Sequence, residues 1–287
     1  IAECFTFPHG LKAFSGLAAV KFGQAVHAQA FRHGLESDVF VQNGLVTLYT
    51  KCRKIELARI IFDRLVERNI VSWTSIISGC AQNGQPIEAL RIFCEMRKLN
   101  VEPDWIVLVS VLRAYSDAED LEQGKCVHSL VMKMGLEYEP DLLIALTAMY
   151  SKCGQIMVAK LLFDLMEVQD VILWNVMISG FAKNGHASKA VELFQKMLMR
   201  NIRPDSVTVQ STILACAHVG SLDQARWMDN YVYNSKFRDD ICVKTALIDM
   251  YAKCGSVELA RKVFDQSIHR DVVLWSAMIV GYGLHGR

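Results

Sequence analysis

The sequence predicts an all-α protein, an alpha-solenoid of tandem helix-turn-helix repeats, and two observations support this. The first is self-similarity at a fixed period. A Tyr-x-Lys-Cys motif begins at Tyr49, Tyr150 and Tyr251, 101 residues apart each time. The second is that apolar residues between these motifs recur at helical spacing. One such stripe consists of Ala89, Leu90, Phe93 and Met96. A single helical hairpin cannot bury its stripe, so hairpins of this kind stack on one another.

Each period of 101 residues divides into modules of 35, 31 and 35 residues. Residues 1–287 then form one solenoid of about 17 helices, which we expect to be an internal fragment of a longer protein. Eight modules are complete and the ninth is cut short. The predicted limits are 4–38, 39–69, 70–104, 105–139, 140–170, 171–205, 206–240, 241–271 and 272–287.

Module 70–104 shows why each module is expected to form two helices. Its first helix is predicted to run from about Val71 to Asn83 and to end at Gly84, since glycine tolerates the left-handed conformation of a helix C-terminus. Pro86 suits the first turn of the second helix, where the missing N–H costs nothing. Pro103 ends the module because proline cannot continue a helix.

The composition is that of a folded protein without a strong charge. Hydrophobic residues make up 52% and charged residues 21% of the chain, which excludes a disordered protein. The formal net charge is +1, so binding of a nucleic acid cannot rest on bulk attraction to phosphates. No apolar run reaches the ~18 residues that a membrane-spanning helix needs.

The modules resemble the three motifs of the plant PLS-class pentatricopeptide-repeat family. The stretch WTSIISGCAQNGQPIEALRIFCEMRKLNVEPD resembles its P motif, and LIDMYAKCGSVELARKVFDQSIHRD resembles its short S motif. The stretch SVLRAYSDAEDLEQGKCVHSLVMKMGLE resembles its long L motif. The resemblance covers essentially the whole chain and implies a right-handed superhelix. In particular, the chain is similar to organellar C-to-U RNA editing factors, which implies the mitochondrion as its location, or alternatively the chloroplast.

This resemblance implies that the partner is single-stranded RNA and that each P or S module reads one base with its fifth and last residues. Amide, hydroxyl and carboxylate groups can hydrogen-bond the Watson–Crick edge of a base. The implied pairs are Asn43 with Asn69, Thr74 with Asp104, Asn175 with Asp205 and Thr245 with Asp271. In that order, the family's pairing rules imply a pyrimidine, G, U and G. Ser276 is the fifth residue of the truncated last module.

The family also sandwiches each base between aliphatic residues at the second position. Here the residues at that position are Phe40, Val71, Ile172, Cys242 and Val273. One module departs from the pattern, since Ile144 stands at its fifth position opposite Asp170 and cannot hydrogen-bond a base. The L modules, which the family implies to be weak readers, carry at that position Pro8, Val109 and Gln210.

Two alternatives stay open on the sequence alone. Ordinary helix-start polarity and core packing of aliphatic residues would also account for the residue types at these positions. A second function, of a different class, is a helical-repeat scaffold that binds proteins and reads no RNA. In the family, L motifs recruit accessory multiple organellar RNA editing factor proteins, so both functions could hold. Only RNA readout requires the fifth and last residues to stay in phase as pairs.

The segment is not expected to be an enzyme or to carry a cofactor. Editing proteins of the family often end in a zinc deaminase-like domain with H-x-E and C-x-x-C elements. Neither element occurs in these 287 residues.

Two other repeated features are not expected to form sites. His27, His128 and Asp229 occupy equivalent positions, but three stacked hairpins separate each from the next by roughly 30 Å, too far to share a metal ion. Three tryptophans beside the reading positions are expected to pack in the core rather than to stack on bases: Trp73, Trp174 and Trp275.

Overall fold

Every regular element of the described chain is an α-helix. The computed structural model describes residues 11, 20–35 and 38–286, and no strand occurs within these ranges. Their sixteen helices are α1 Val20–Arg32, α2 Val39–Lys51, α3 Ile55–Asp63, α4 Ile70–Gln82, α5 Pro86–Lys98, α6 Trp105–Asp117, α7 Leu121–Lys133, α8 Pro140–Lys152, α9 Ile156–Leu165, α10 Val171–Lys183, α11 Ala187–Met199, α12 Ser206–Val219, α13 Leu222–Tyr233, α14 Ile241–Lys253, α15 Val257–Asp265 and α16 Val272–Leu284. The predicted all-α class is confirmed. The first helix of module 4–38, with Pro8, lies outside the described residues. None of these helices is long and apolar enough to cross a bilayer.

The hairpin α4–α5 forms where the sequence predicts it. Asn69 caps the start of α4, and Gly84, with a φ of +74°, follows its end. The turn lets the N–H of Gln85 donate to the carbonyl of Cys80 at 3.0 Å. Pro86 is the first residue of α5. The helix starts one residue before the predicted Val71, because the cap at Asn69 fixes the first turn.

The chain divides into two compact units, Ile1–Met149 and Tyr150–Arg287. In the first unit, α2, α4 and α6 pack side by side as one layer, and α3 and α5 each pack against the first helix of their own hairpin and of the next one. In the second unit, α10, α12, α14 and α16 form the corresponding layer. The starts of these first helices, which carry the predicted reading positions, therefore lie next to one another within each unit.

Aromatic pairs connect successive hairpins. Phe62 meets Trp73 edge-on with ring centroids 4.9 Å apart, and Phe163 meets Trp174 at 5.1 Å. Both tryptophans are buried, as predicted. Such pairs add about 0.5–1.5 kcal/mol beyond the area they bury. Trp275 contacts Phe264 in the same way, but it is 49% exposed, so the described residues do not bury it as they bury the other two tryptophans. It lies on α16, and no later described helix packs over it.

A glycine allows the first helices of neighbouring hairpins to approach closely. A Cβ atom at Gly79 of α4 would lie 2.3 Å from Cγ2 and 2.4 Å from Cβ of Thr50, which is buried at the end of α2. Because Cβ is fixed to the backbone, rotation of the threonine side chain cannot relieve this overlap, and the two helices would have to separate.

We therefore expect Gly79→Ala to lower the free energy of unfolding by about 1–3 kcal/mol, the usual cost of overpacking a filled core. Gly283→Ala is the matched control, since Gly283 lies inside α16 with no atom within 4 Å of the added Cβ. There the better helix propensity of alanine should stabilise the protein slightly. Thermal unfolding of both variants measures the difference, and equal effects would show that the close approach does not matter.

Candidate nucleic-acid interface

The last residue of each predicted reading module caps the first helix of the next module. Asp104 Oδ1 and Asp205 Oδ1 accept hydrogen bonds from the backbone N–H three residues on, at 2.8 and 2.9 Å. Asn69 and Asp271 cap α4 and α16 in the same way, and Asp170 caps α10. A cap satisfies one of the N–H groups that a helix start leaves without an intrahelical partner. The alternative of helix-start polarity therefore accounts for part of the pattern at the last position.

Capping uses only one carboxylate oxygen of Asp104 and of Asp205. The other oxygen lies close to the predicted fifth residue of the same module. Asn175 Nδ2 donates to Asp205 Oδ2 at 2.9 Å. The hydroxyl of Thr74 lies 3.4 Å from Asp104 Oδ2, and its nearer acceptor is the carbonyl of Ile70 at 2.7 Å. In each aspartate, one oxygen holds the helix start and the other faces a side chain on the preceding first helix. Helix-start polarity alone does not require this second contact.

The other predicted pairs differ in their contacts. Asn43 Nδ2 donates to Asn69 Oδ1 at 3.4 Å, so a third pair is joined. Thr245 Oγ1, like Thr74 Oγ1, donates to the carbonyl four residues earlier, that of Ile241, at 2.8 Å, but no hydrogen bond joins it to Asp271. The hydroxyl of Ser276 likewise donates to a carbonyl of its own helix, that of Val272, at 2.7 Å.

The predicted second-position residues stand in solvent at the helix starts. All five are exposed: Phe40, Val71, Ile172, Cys242 and Val273. The alternative that these residues pack in the core is therefore wrong. In the first unit, Val71 and Ile106 line a cavity of about 330 Å³ together with Thr74 and Asp104. Apolar side chains beside a hydrogen-bonding pair can accommodate a planar ring with polar groups along its edge.

A cation at the same cavity was missed by the sequence analysis. Lys51, in the last turn of α2, lines this cavity, and its Nζ donates to Gln82 Oε1 at 3.2 Å. The available signal was its recurrence within the repeated motif, since Lys152 and Lys253 follow at the same period. Both occupy the last turn of equivalent helices, α8 and α14.

The carboxyl group of Asp205 is held in its ionised form. Burial by itself raises the pKa of this group, but hydrogen bonds to its oxygens, among them those from the backbone N–H of Thr208 and from the side chain of Asn175, outweigh burial. The pKa of Asp205 therefore lies below its ordinary value. The group is a permanent acceptor at neutral pH.

The repeated His and Asp positions that resemble a metal triad have another partner in the structure. His27 Nδ1 lies 3.0 Å from the hydroxyl of Tyr49, and the hydroxyl of Tyr251 donates to Asp229 Oδ2 at 2.8 Å. Each of these contacts joins a predicted L module to the predicted S module after it. Among the described residues, no group of three or more His, Cys, Asp or Glu side chains could hold a metal ion.

Comparison with known sequences finds relatives along the whole chain. A model of the PPR repeat family matches residues 68–117 and 169–218, and a model of the PPR repeat matches residues 243–272. A pentatricopeptide repeat-containing protein of Arabidopsis thaliana is 59% identical over 287 residues, which cover 99% of this chain and 41% of that protein. Two others from the same plant, named chloroplastic and mitochondrial, are 39% and 36% identical over 96% and 98% of this chain and 34% and 47% of their own lengths. The chain thus spans less than half the length of these curated relatives.

Solved structures with the same fold are also found. The pentatricopeptide repeat protein PPR10, in complex with an 18-nt psaJ RNA element, superposes with a TM-score of 0.82 at 19% identity, over 98% of this chain and 43% of that chain. PPR10 from maize gives a TM-score of 0.75 at 20% identity, over 93% of this chain and 39% of that chain. At these identities, the likeness establishes the fold.

The lowered pKa of Asp205 gives a stability difference that depends on pH. A carboxylate with a depressed folded pKa stabilises the fold above its ordinary pKa of 3.8, and this stabilisation is lost as the pH falls through the lower folded pKa. Asp205→Asn removes the charge and keeps a capping side chain. The advantage of the wild type over this variant should shrink as unfolding is measured at pH values progressively below 4. Thr212→Val, which removes a buried hydroxyl bonded to the carbonyl of Thr208, is the control and should differ from wild type by a constant amount. If the difference in unfolding free energy between wild type and Asp205→Asn were also constant with pH, the lowered pKa of Asp205 would be contradicted.

Proposed function

Because the chain carries pentatricopeptide repeats, we propose that it binds single-stranded RNA, one base per repeat, as the specificity module of a PLS-class organellar C-to-U RNA editing factor. The observation that carries this proposal is the convergence of fifth and last residues. Three of the four predicted pairs meet through hydrogen bonds, at the starts of neighbouring helices in one layer. In this proposal the modules keep the predicted limits, and Thr245 with Asp271 and Ser276 with its partner read bases in the same way.

The base preferences follow from the donors and acceptors at each pair. The second N–H of Asn175 Nδ2 and the carbonyl of its amide can meet the acceptor and donor of a uracil edge. In the Thr74/Asp104 pair, the carboxylate suits the N–H donors of a guanine edge. Asn43 with Asn69 offers amides only, and accommodates either pyrimidine.

Exposed aliphatic residues hold the base on its faces in this proposal. Val71, Ile172 and Val273 stand at the helix starts beside the reading pairs, where apolar atoms can cover the faces of a ring. Lys51 lines the same cavity as Val71 and, in this proposal, supplies a cation for the backbone phosphate. With a net charge of +1, such local cations supply the electrostatic attraction, and affinity for random RNA should be weak.

Accessory proteins have a separate surface on the same chain in this proposal. Two clefts occur at equivalent junctions between an L and an S module. The first, of about 410 Å³, includes His27, Phe31 and Ile61 in its lining. The second, of about 350 Å³, is lined in part by residues 202 positions later, among them Asp229 and Tyr233. These clefts suit docking of accessory multiple organellar RNA editing factor proteins to the L motifs, so RNA and protein binding are compatible.

The segment provides recognition, and the chemistry of editing requires groups that it does not carry. Neither H-x-E nor C-x-x-C occurs in the sequence. We place the protein in the mitochondrion, with the chloroplast as the alternative, because its relatives include proteins named for each organelle.

Exchange of one side chain should change the base that is preferred. Asn175→Thr recreates the Thr/Asp pair present at Thr74 with Asp104, so the preference opposite this module should move from U to G. A mismatched base typically costs ~1–3 kcal/mol, or about 5- to 150-fold in affinity. The measurement is binding of the wild type and the variant to RNAs that differ only at that base.

The matched control is the base opposite Ile144, where any base should bind about equally, since isoleucine offers no hydrogen bond. A variant that keeps the preference for U would show that the assigned register or the RNA-reading role is wrong. An equal dependence on the base opposite Ile144 would lead to the same conclusion.

A further inference from the structure

A third side chain contacts the Asn175/Asp205 pair. Thr208 lies in the first turn of α12 and is fully buried. Its Oγ1 lies 2.5 Å from Asn175 Oδ1 and 2.9 Å from Asp205 Oδ1, and it accepts from the backbone N–H of Asp205 at 3.1 Å. It is the third residue of the module that follows the Asn175 module.

The hydroxyl hydrogen of Thr208 can be donated to only one of the two nearby oxygens. Thr208 has one hydroxyl hydrogen, while Asn175 Oδ1 and Asp205 Oδ1 carry none. Asp205 Oδ1 already accepts the backbone N–H of Thr208, and the oxygen of Asn175 is the nearer of the two. Donation to Asn175 gives the Thr208 hydroxyl and Asn175 Oδ1 a partner in each other. Asp205 Oδ1 keeps the backbone N–H of Thr208, and Asp205 Oδ2 keeps the amide N–H of Asn175.

The amide of Asn175 is therefore held at both ends. Its oxygen points to a donor on α12, and its nitrogen points to a carboxylate oxygen. A half-turn of the amide would bring Asn175 Oδ1 against Asp205 Oδ2, two acceptors without a proton between them, and would leave the hydroxyl of Thr208 without this acceptor.

The other predicted reading pairs, all within the described residues, lack this arrangement. At the Asn43/Asn69 pair, the equivalent residue is Ser72, and its hydroxyl donates to the carbonyl of Asn69 at 2.7 Å. Asn43 Oδ1 is buried without a hydrogen-bond partner. At Thr74 and Thr245, the equivalent residues are Val107 and Leu274, which have no hydroxyl.

We propose that Thr208 is a third specificity-determining residue for the base opposite Asn175, a positioning residue that fixes the order of donor and acceptor along the amide. Uracil presents an acceptor and then a donor along its edge, whereas cytosine presents a donor and then an acceptor. An amide that can turn over fits both bases, and an amide held at both ends fits one. This inference rests on the proposed RNA readout.

The test removes the hydroxyl and keeps the shape. Thr208→Val should lower the ratio of U affinity to C affinity at this base by roughly 2- to 12-fold, the contribution of one hydrogen bond. Thr208→Ser keeps the hydroxyl and should keep the ratio. Thr212→Val, which removes a buried hydroxyl one turn later in α12, should also keep it. Thr208→Ala lacks the hydroxyl without adding bulk, and gives the same test if the valine variant does not fold.

The outcomes separate the inference from the function on which it rests. A wild type that binds RNAs with U, C, A or G at this position equally would refute the RNA readout together with this role. A wild type that prefers U, with Thr208→Val showing the same ratio of U to C, would refute the role of Thr208 alone. An equal loss of affinity for every base in Thr208→Val would identify a structural effect and would also overturn the role of Thr208.

A change in the NMR signal of the Asn175 side-chain amide in Thr208→Val, measured without RNA, is expected in addition. An unchanged signal would count against the contact between Thr208 and Asn175.

Discussion

The arrangement of the predicted reading positions depends on the cap of each first helix. A helix start leaves N–H groups without a partner, and the last residue of the preceding module supplies an acceptor. The geometry of a cap fixes the side chain against the first turn, so its remaining oxygen has a fixed direction. At Asp104 and Asp205 that oxygen faces the fifth residue of the preceding first helix. One residue type thus satisfies a folding requirement and creates a hydrogen-bonding pair at the surface.

Close packing of the hairpins keeps these pairs in register within each unit. Edge-on contacts such as Phe62 with Trp73 join one hairpin to the next, and Gly79 lets α4 lie directly against Thr50 of α2. Interiors packed at this density transmit small changes in volume to the neighbouring helices. The spacing of the pairs along the layer is therefore set by the packing between hairpins, which gives mutations at such positions an indirect route to altered binding.

Much of this structure could be predicted from the sequence, because each feature has a local cause. Repeated sequence motifs indicated the period of 101 residues. Gly84 and Pro86 indicated the turn of a hairpin by their backbone preferences. Side-chain orientation could not be predicted in the same way. Thr74 and Thr245 are the same residue at the same module position, yet only Thr74 contacts its aspartate. The contact from Thr208 to Asn175 depends on a distance between two helices, and the exposure of Trp275 depends on what packs over α16. Such features arise from tertiary packing, which a single-sequence pattern does not contain.

In the proposed RNA readout, a fifth and a last residue act on one base as a unit. A double-mutant cycle on Asn175→Ala and Asp205→Ser, measured as affinity for RNA with U at this position, tests it most directly, since serine retains a capping oxygen. Two side chains that bind the same base should show a coupling of about 0.5–3 kcal/mol in binding. The same cycle with Ile144→Ala and Asp170→Ser should show none. Additive effects at Asn175 and Asp205 would contradict the account, because the two side chains would then contribute to the fold or to affinity independently of a shared base.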